Sequence, residues 1–373
     1  MAVIDEDPRK YWNLAALQGP PAYRADDDPV SAAPGLRSVI YDGVVEHGRK
    51  TACFAYIAIP EGAAPPGGWP GIVLVHGAGG TAFAWAAELW RSYGYAVIVP
   101  DWYGRRPTEA DKPNGSGERP RPYVAGKRTH SFEDTAAHIT NVANLILAHS
   151  LLRSLPQVDR DRTAYVGLSW GSWYGAMITA VDPRFRGMVE IYLGDRKDDG
   201  FFTDGRFLHA AKNKMYYVVG TNETCGSPES FQNAFDTLGE NFGNSSLLVE
   251  LPHSHIGFRF QPCRRYADAL LKDAPGLPKL ARARRDGGEL AAAVLECGKG
   301  IKKAFLCWTA DRDMPPHLRK WRMSEARYDT AARMLTAALP ENCHQCYLAA
   351  YDEEDVASRC CGTGNLVTLP RRT

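Results

Sequence analysis

Thr163-Ala164-Tyr165-Val166-Gly167-Leu168-Ser169-Trp170-Gly171 is the stretch whose reading decides the fold. Its first four residues have the apolar, β-rich character of a strand, and Gly167 to Gly171 form a Gly-x-Ser-x-Gly. Between a strand and a helix that pattern is a nucleophile elbow. The turn is so tight that the serine sits in strained backbone geometry, and small residues two before and two after it prevent a clash. The strain lifts the hydroxyl over the sheet edge, where a histidine can reach it. The pentapeptide alone is common in loops. Its context supplies the weight, because Ser172-Trp173-Tyr174-Gly175-Ala176-Met177 after it can start a helix.

Outward from the elbow, the first two-thirds of the chain alternates strands and helices. Residues 51–59 alternate and end at Pro60, and 72–75 form a continuous apolar run of the kind that a central parallel strand carries. Residues 95–99, 163–168, 188–193, 215–219 and 247–251 complete the series. Residues 131–155 carry apolar side chains at helical spacing, with Ser131 and Asp134 as a capping box at the start. Such alternation predicts a mostly parallel sheet covered on both faces, an α/β class. A polar loop rich in Pro, Gly and Arg spans 102–128, at the edge where such folds bind ligands. Around Ala274-Pro275-Gly276-Leu277-Pro278 the character changes. Short strands are predicted at 289–297, 301–309, 320–328, 332–339 and 346–351, a small β-sandwich. The expected domains are therefore 1–275 and 276–373.

A serine hydroxyl is a poor nucleophile until a base takes its proton, and the base needs a carboxylate to hold its tautomer. The chain offers both in the order Ser, acid, His. Glu223, in Gly220-Thr221-Asn222-Glu223, follows one strand, and His253 and His255, in Pro252-His253-Ser254-His255, follow the next. Asp195 is the rival acid, and spacing does not separate the two histidines. The oxyanion needs donors aimed at it in advance. His76-Gly77-Ala78-Gly79-Gly80 after the apolar strand supplies a backbone loop, with the Trp170 amide as second donor. A Gly-rich loop after a strand could instead bind phosphate, but the loop has neither a P-loop lysine nor a Gly-x-Gly-x-x-Gly spacing, which disfavours a nucleotide reading. His76 reads as a loop-orienting residue.

The 373 residues suit a large α/β domain with a smaller partner. Lys+Arg 44 against Asp+Glu 43 leaves a net charge of +1, which points away from nucleic acid and from anionic membrane surfaces. No apolar run approaches the roughly 20 residues that span a bilayer. The acidic start, Met1-Ala2-Val3-Ile4-Asp5-Glu6-Asp7, lacks the pattern of a secretory signal, so a cytoplasmic location is expected unless a leader has been removed. Nine cysteines is an odd count. Cys343-x-x-Cys346 with Cys360-Cys361 invites a zinc reading, but adjacent ligands are strained, and thiols packed in a β-rich region are expected instead.

These motifs together resemble the dienelactone-hydrolase-like branch of α/β-hydrolases usually labelled acetylxylan esterase. The resemblance runs over nearly the whole chain. It rests on Val75-His76-Gly77-Ala78-Gly79-Gly80-Thr81-Ala82-Phe83, Leu168-Ser169-Trp170-Gly171, Asp182-Pro183-Arg184-Phe185, Gly220-Thr221-Asn222-Glu223, Leu251-Pro252-His253-Ser254-His255 and Leu306-Cys307-Trp308-Thr309-Ala310-Asp311. It implies an α/β-hydrolase fold with a C-terminal β-sandwich, Ser169 as nucleophile, Glu223 as acid and His255 as base. The backbone amides of Ala78 and Trp170 would hold the oxyanion. Two residues depart from the family pattern: Glu223 stands where Asp is usual, and Ala78 replaces an oxyanion-loop glycine. The implied activity is a serine esterase acting on small or glycan acyl esters, with no metal or organic cofactor. The alternatives are a prolyl-oligopeptidase-like peptidase and a catalytically idle hydrolase fold that binds carbohydrate or protein. The roughly 70 residues before the first core strand leave no room for the large propeller that the peptidases carry.

Overall fold

The computed structural model describes residues 6–107, 134–192 and 205–371. They fall into two compact units. The first holds the described residues up to Glu190, those from 205 to Lys214, and Ser254–Arg259. The second holds Ile191, Tyr192, Met215–His253 and the residues from Phe260 onward.

In the first unit seven strands run in the order β1-β2-β3-β5-β4-β6-β7. They are β1 (Tyr23–Ala25), β2 (Arg37–Glu46), β3 (Arg49–Ala58), β4 (Trp69–Val75), β5 (Ala96–Pro100), β6 (Val158–Leu168) and β7 (Gly187–Ile191). The edge is antiparallel because β2 and β3 are joined by a two-residue turn. Both turn residues, His47 and Gly48, have positive φ (47° and 74°), which matches the twist of a hairpin. The centre is parallel, with β4 pairing β5 and β6. Ile72 to Val75 and Ala96 to Val99 are fully buried, as a strand covered on both faces must be.

Four helices accompany these strands: α1 (Leu14–Leu17), α2 (Ala84–Ser92), α3 (Thr135–Ser154) and α4 (Trp170–Val181). Helix α2 packs on β3 and β5, α3 on β2, β4, β5 and β6, and α4 on β6. Asp134 is itself the N-cap of α3, accepting the N–H groups of Ala136 and Ala137, and not the third helical residue that the expected capping box made it. Ser131 of the expected capping box lies outside the described residues, as does most of the 102–128 loop.

A buried ion group sits between α3, β6 and the end of α4. His149 Nδ1 meets Asp182 Oδ2 at 2.8 Å and its Nε2 meets Thr163 Oγ1 at 2.8 Å. Arg184 grips both oxygens of Asp182 at 2.7 Å. Burial pushes His149 down to about 4, against the pull of Asp182 and with the added push of Arg184 and Arg153. Above pH 6.5 the ring is neutral folded or unfolded. As pH falls from there to about 4, only the unfolded chain takes up the proton, so stability drops by about 3 kcal/mol across that window. Thermal melts of wild type and His149→Gln across pH 4–7 should show a shallower acid slope in the variant. Parallel slopes would count against a buried neutral imidazole.

The second unit contains the parallel pair β8 (Lys214–Gly220) and β9 (Phe242–Leu248), with helices α5 (Pro228–Leu238) and α6 (Gln261–Lys272). Ser227 caps α5 and Pro228 takes its first position, where a missing N–H costs nothing. Helix α6 buries Cys263, Ala267 and Leu271, spaced i, i+4, i+8 on one face.

Two antiparallel five-stranded sheets follow. One is built from β10 (Lys279–Leu280), β11 (Arg284–Asp286), β12 (Glu289–Glu296), β15 (Arg327–Asp329) and β16 (Met334–Ala338). The other comprises β13 (Lys303–Thr309), β14 (Arg322–Glu325), β17 (Gln345–Tyr351), β18 (Cys361–Thr363) and β19 (Val367–Thr368). Leu290, Val294, Leu306, Leu335 and Leu348 bury into a shared core, so the expected β-sandwich is present. The cysteines singled out in the sequence are packed thiols: Cys343, Cys346, Cys360 and Cys361 are all free and buried.

Two expectations move. The strand expected at 247–251 is β9, Phe242–Leu248, and the chain turns at Glu250 with φ 53°. The expected strand leaves out Asn244, Ser245 and Ser246, which are polar. They are buried strand residues whose polar atoms bond to the sandwich: Asn244 Nδ2 donates to Pro278 O at 2.9 Å, Ser245 Oγ lies 2.9 Å from Thr363 Oγ1, and Ser246 Oγ donates to Cys361 O. The single strand expected at 320–328 is two, β14 and β15, which break at Ala326 and pair in different sheets.

Within this unit Arg265 of α6 makes a two-pronged contact with Asp352, both arms at 2.6 Å, and the Asp352 side chain is wholly buried. Removing the guanidinium strands a buried carboxylate. Arg265→Ala should therefore lower the denaturation free energy by about 3–5 kcal/mol in urea unfolding. A loss under about 1 kcal/mol would mean that water reaches Asp352.

Candidate active site

Strand β6 ends at Leu168 and helix α4 begins at Trp170, so Ser169 is the single joint between them. Its φ of 57° and ψ of −116° lie in a region almost reserved for glycine, a strain of about 1–3 kcal/mol. The helix holds it there. The N–H groups of Ser172 and Trp173 donate to Ser169 O at 2.8 and 3.2 Å, and Tyr165 OH donates to Gly171 O at 2.6 Å. A Cβ on Gly171 would lie 2.3 Å from Val75 O, which is why a glycine stands two residues after the serine. Trp170 lies in the first turn of α4, where N–H groups point along the axis toward an anion.

The loop after β4 lies against this elbow. A Cβ on Gly77 would come within 2.8 Å of Ser169 Cβ. The loop is held in shape from below. His76 is fully buried, its Nδ1–H donates to Gly77 O at 2.8 Å, and its ring stacks on Trp102 at 5.3 Å. Trp102 Nε1 returns a bond to His76 O at 2.9 Å, and Gly79 N–H donates to Tyr103 OH at 3.2 Å. The positive φ of the loop, 70°, falls on Gly79 and not on Ala78, so the alanine meets no backbone restriction there. A cavity of 290 Å³ borders the continuation of the loop at Thr81, Ala82, Phe83 and Ala84, with Val30 and Tyr56 opposite.

The two histidines part company. His255 opens a 3-10 turn, His255–Arg259, in the first unit. Its ring sits 4.9 Å from Phe83, and its Nε2 lies 2.6 Å from where a Gly80 Cβ would be. In the second unit His253 Nδ1 faces both oxygens of Glu223 at 2.9 Å. Glu223 also accepts the Cys225 N–H at 2.9 Å, and its side chain is fully buried. Tyr192 stacks on the His253 ring at 4.4 Å. The resemblance pairs Glu223 with His255. The carboxylate is bonded to His253 instead, because the turn that starts at His255 carries that ring toward Phe83. Asp195, the rival acid, lies outside the described residues.

Sequence reading passed over Tyr192, Trp102 and Tyr103. Trp102 and Tyr103 stand just past the end of β5 and Tyr192 just past the end of β7, and that position was the available signal. Glu190 was missed too. It is fully buried in β7, burial raises its carboxyl well above the usual range, and Gly175 of α4 leaves the room that its side chain occupies.

A family model described as the alpha/beta hydrolase family matches residues 72–357. The chain belongs to that family. No curated protein matches it. Among solved structures, an acetyl xylan esterase from Paenibacillus sp. R4 is similar at 19% identity over 73% of this chain and 97% of that one, with a TM-score of 0.53. Acetyl xylan esterase 1 from Thermoanaerobacterium sp. JW/SL YS485 is similar at 16% identity over 67% of this chain and 88% of that one, with a TM-score of 0.46. At 19% identity the likeness to the Paenibacillus structure is one of fold. Among the described residues no helix is long and apolar enough to cross a membrane.

Proposed function

We propose that the protein is a serine carboxylic-ester hydrolase that works through an acyl-enzyme on short acyl esters of sugars or other small alcohols. The strained backbone of Ser169 carries the reading. A merely structural turn has no use for a non-glycine residue at that φ and ψ, whereas a nucleophile held out over a sheet edge requires it. His253 is the base and Glu223 the acid that keeps its Nδ1 protonated. His253 Nε2 removes the Ser169 proton as Oγ attacks the ester carbonyl. The Ala78 and Trp170 amides hold the oxyanion, and the imidazolium returns the proton to the leaving alcohol. Water, activated by the same ring, then releases the acid. Side chains and backbone N–H groups handle every proton and charge in this cycle. The assignment replaces His255 by His253, and the support for it is the bond from Glu223. His255 becomes a residue that packs against the loop.

The preference for a small acyl group draws, by analogy, on the acetyl ester in the name of the Paenibacillus protein. A misfitting chain loses about 1–3 kcal/mol. Purified protein should therefore hydrolyse p-nitrophenyl acetate at least about tenfold more efficiently than the octanoate, read as kcat/KM. A flat chain-length profile would remove the short-acyl assignment. A folded protein inactive on every ester would sink the esterase reading itself.

A further inference from the structure

Glu223, Cys225 and His253 each offer one metal-ligand atom, and these three atoms lie within 4.8 Å of one another. Among the described residues no other three His, Cys, Asp or Glu side chains meet in this way. We propose that they form an inhibitory site for a thiophilic divalent cation of the zinc class.

A carboxylate oxygen, an imidazole nitrogen and a thiolate sulfur are the donors that zinc takes, with water completing the tetrahedron. The sulfur disfavours magnesium and calcium, which take oxygen. Tetrahedral zinc ligands stand about 3.5 Å apart; Nδ1 and the carboxylate oxygens, at 2.9 Å, need only open slightly, whereas the sulfur, within 4.8 Å of them, must close by about 1 Å. Cys225 supplies that movement. It is only half-buried and sits in the connection between β8 and α5, whereas Glu223 is buried and His253 is held by the Tyr192 stack. The Cys225 N–H bond to Glu223 Oε1 fixes the carboxylate from outside the metal's first layer, as supporting bonds do in metal sites.

The protons balance. The cation takes Nδ1, where the proton shared with Glu223 now sits, and the imidazole stays neutral by carrying its proton on Nε2. The Cys225 thiol gives one proton to solvent as it becomes a thiolate ligand. With Nε2 protonated, the ring can no longer accept the Ser169 proton, and hydrolysis stops. Inhibition rests on the proposed function; metal binding does not.

The test uses the full-length protein, reduced and stripped with a chelator, and cobalt(II) alone as probe. Wild type should develop a thiolate-to-cobalt charge-transfer band in the near ultraviolet that saturates at one equivalent and is displaced by zinc. Cys225→Ala should lose the band, and Cys225→Ser should weaken binding by about tenfold or more. Both keep the backbone N–H to Glu223, and the other cysteines are common to all three proteins. Zinc should slow wild-type ester hydrolysis about tenfold, reversibly with chelator, while the Cys225→Ala rate is measured against its own metal-free value and stays level. Absence of the band in wild type overturns the proposal, as does a band or zinc inhibition that persists in Cys225→Ala. A band in a metal-free-inactive protein would uphold the metal site and overturn the esterase reading.

Discussion

Replacing Ser169 by alanine should reduce kcat/KM on p-nitrophenyl acetate by about ten-thousandfold or more, with the fold intact. Removing the nucleophile of a hydroxyl–imidazole–carboxylate set leaves only the background that the oxyanion donors and binding provide. The elbow's geometry does not depend on the hydroxyl, because the helix N–H groups bond to Ser169 O, a backbone atom. Alanine inherits the same unfavourable φ of 57°, so the melting temperature should barely change. Glycine at the same position should be equally inactive yet more stable, by about 1–2 kcal/mol, because it adopts that backbone without strain. Circular dichroism melts beside the kinetics separate the two effects. Residual activity above about one per cent in a folded Ser169→Ala would point to another nucleophile.

The histidines should divide sharply. His253→Ala is expected to reduce kcat/KM by about a thousandfold or more, and Glu223→Gln by a comparable factor, because the amide no longer holds the imidazole in the tautomer that accepts from serine. Changing both should cost little more than changing one, since a base and its orienting acid act as a unit. His255→Ala should lose no more than about tenfold, an effect of loosening the packing against Phe83 and the loop at Gly80. The reverse ranking would return the base to His255, as the family resemblance has it. The Glu223–His253 bond would then be structural. Equal, small losses from both would undo the proposed chemistry.

What was legible in the sequence was whatever local chemistry alone determines. The elbow, the apolar run of β4, the strand before α4 and the sandwich strands β12, β13, β16 and β17 could be read because their patterns satisfy themselves within a few residues. Strand β9 could not. Its polar side chains look like a loop until Thr363, Cys361 and Pro278, more than thirty residues away, supply their partners. The site divides along the same line. Ser169 and Glu223 follow their strands in the expected order, and that order is visible in a one-dimensional string. His253 and His255 are two residues apart on one short segment, and only the turn beginning at His255 decides which ring meets the carboxylate. The stacking of Tyr192 on His253 and of Trp102 on His76 are long-range packing facts with no periodic signature.

The most direct test of an acyl-enzyme on Ser169 is to stop the reaction with p-nitrophenyl acetate in acid within the first turnovers and map the protein by mass spectrometry. The account predicts a single acetyl group on the peptide that contains Ser169, appearing with a burst of nitrophenol and absent from Ser169→Ala and His253→Ala. Turnover of the ester with no acetyl on that peptide, or with the acetyl on another residue, would contradict it.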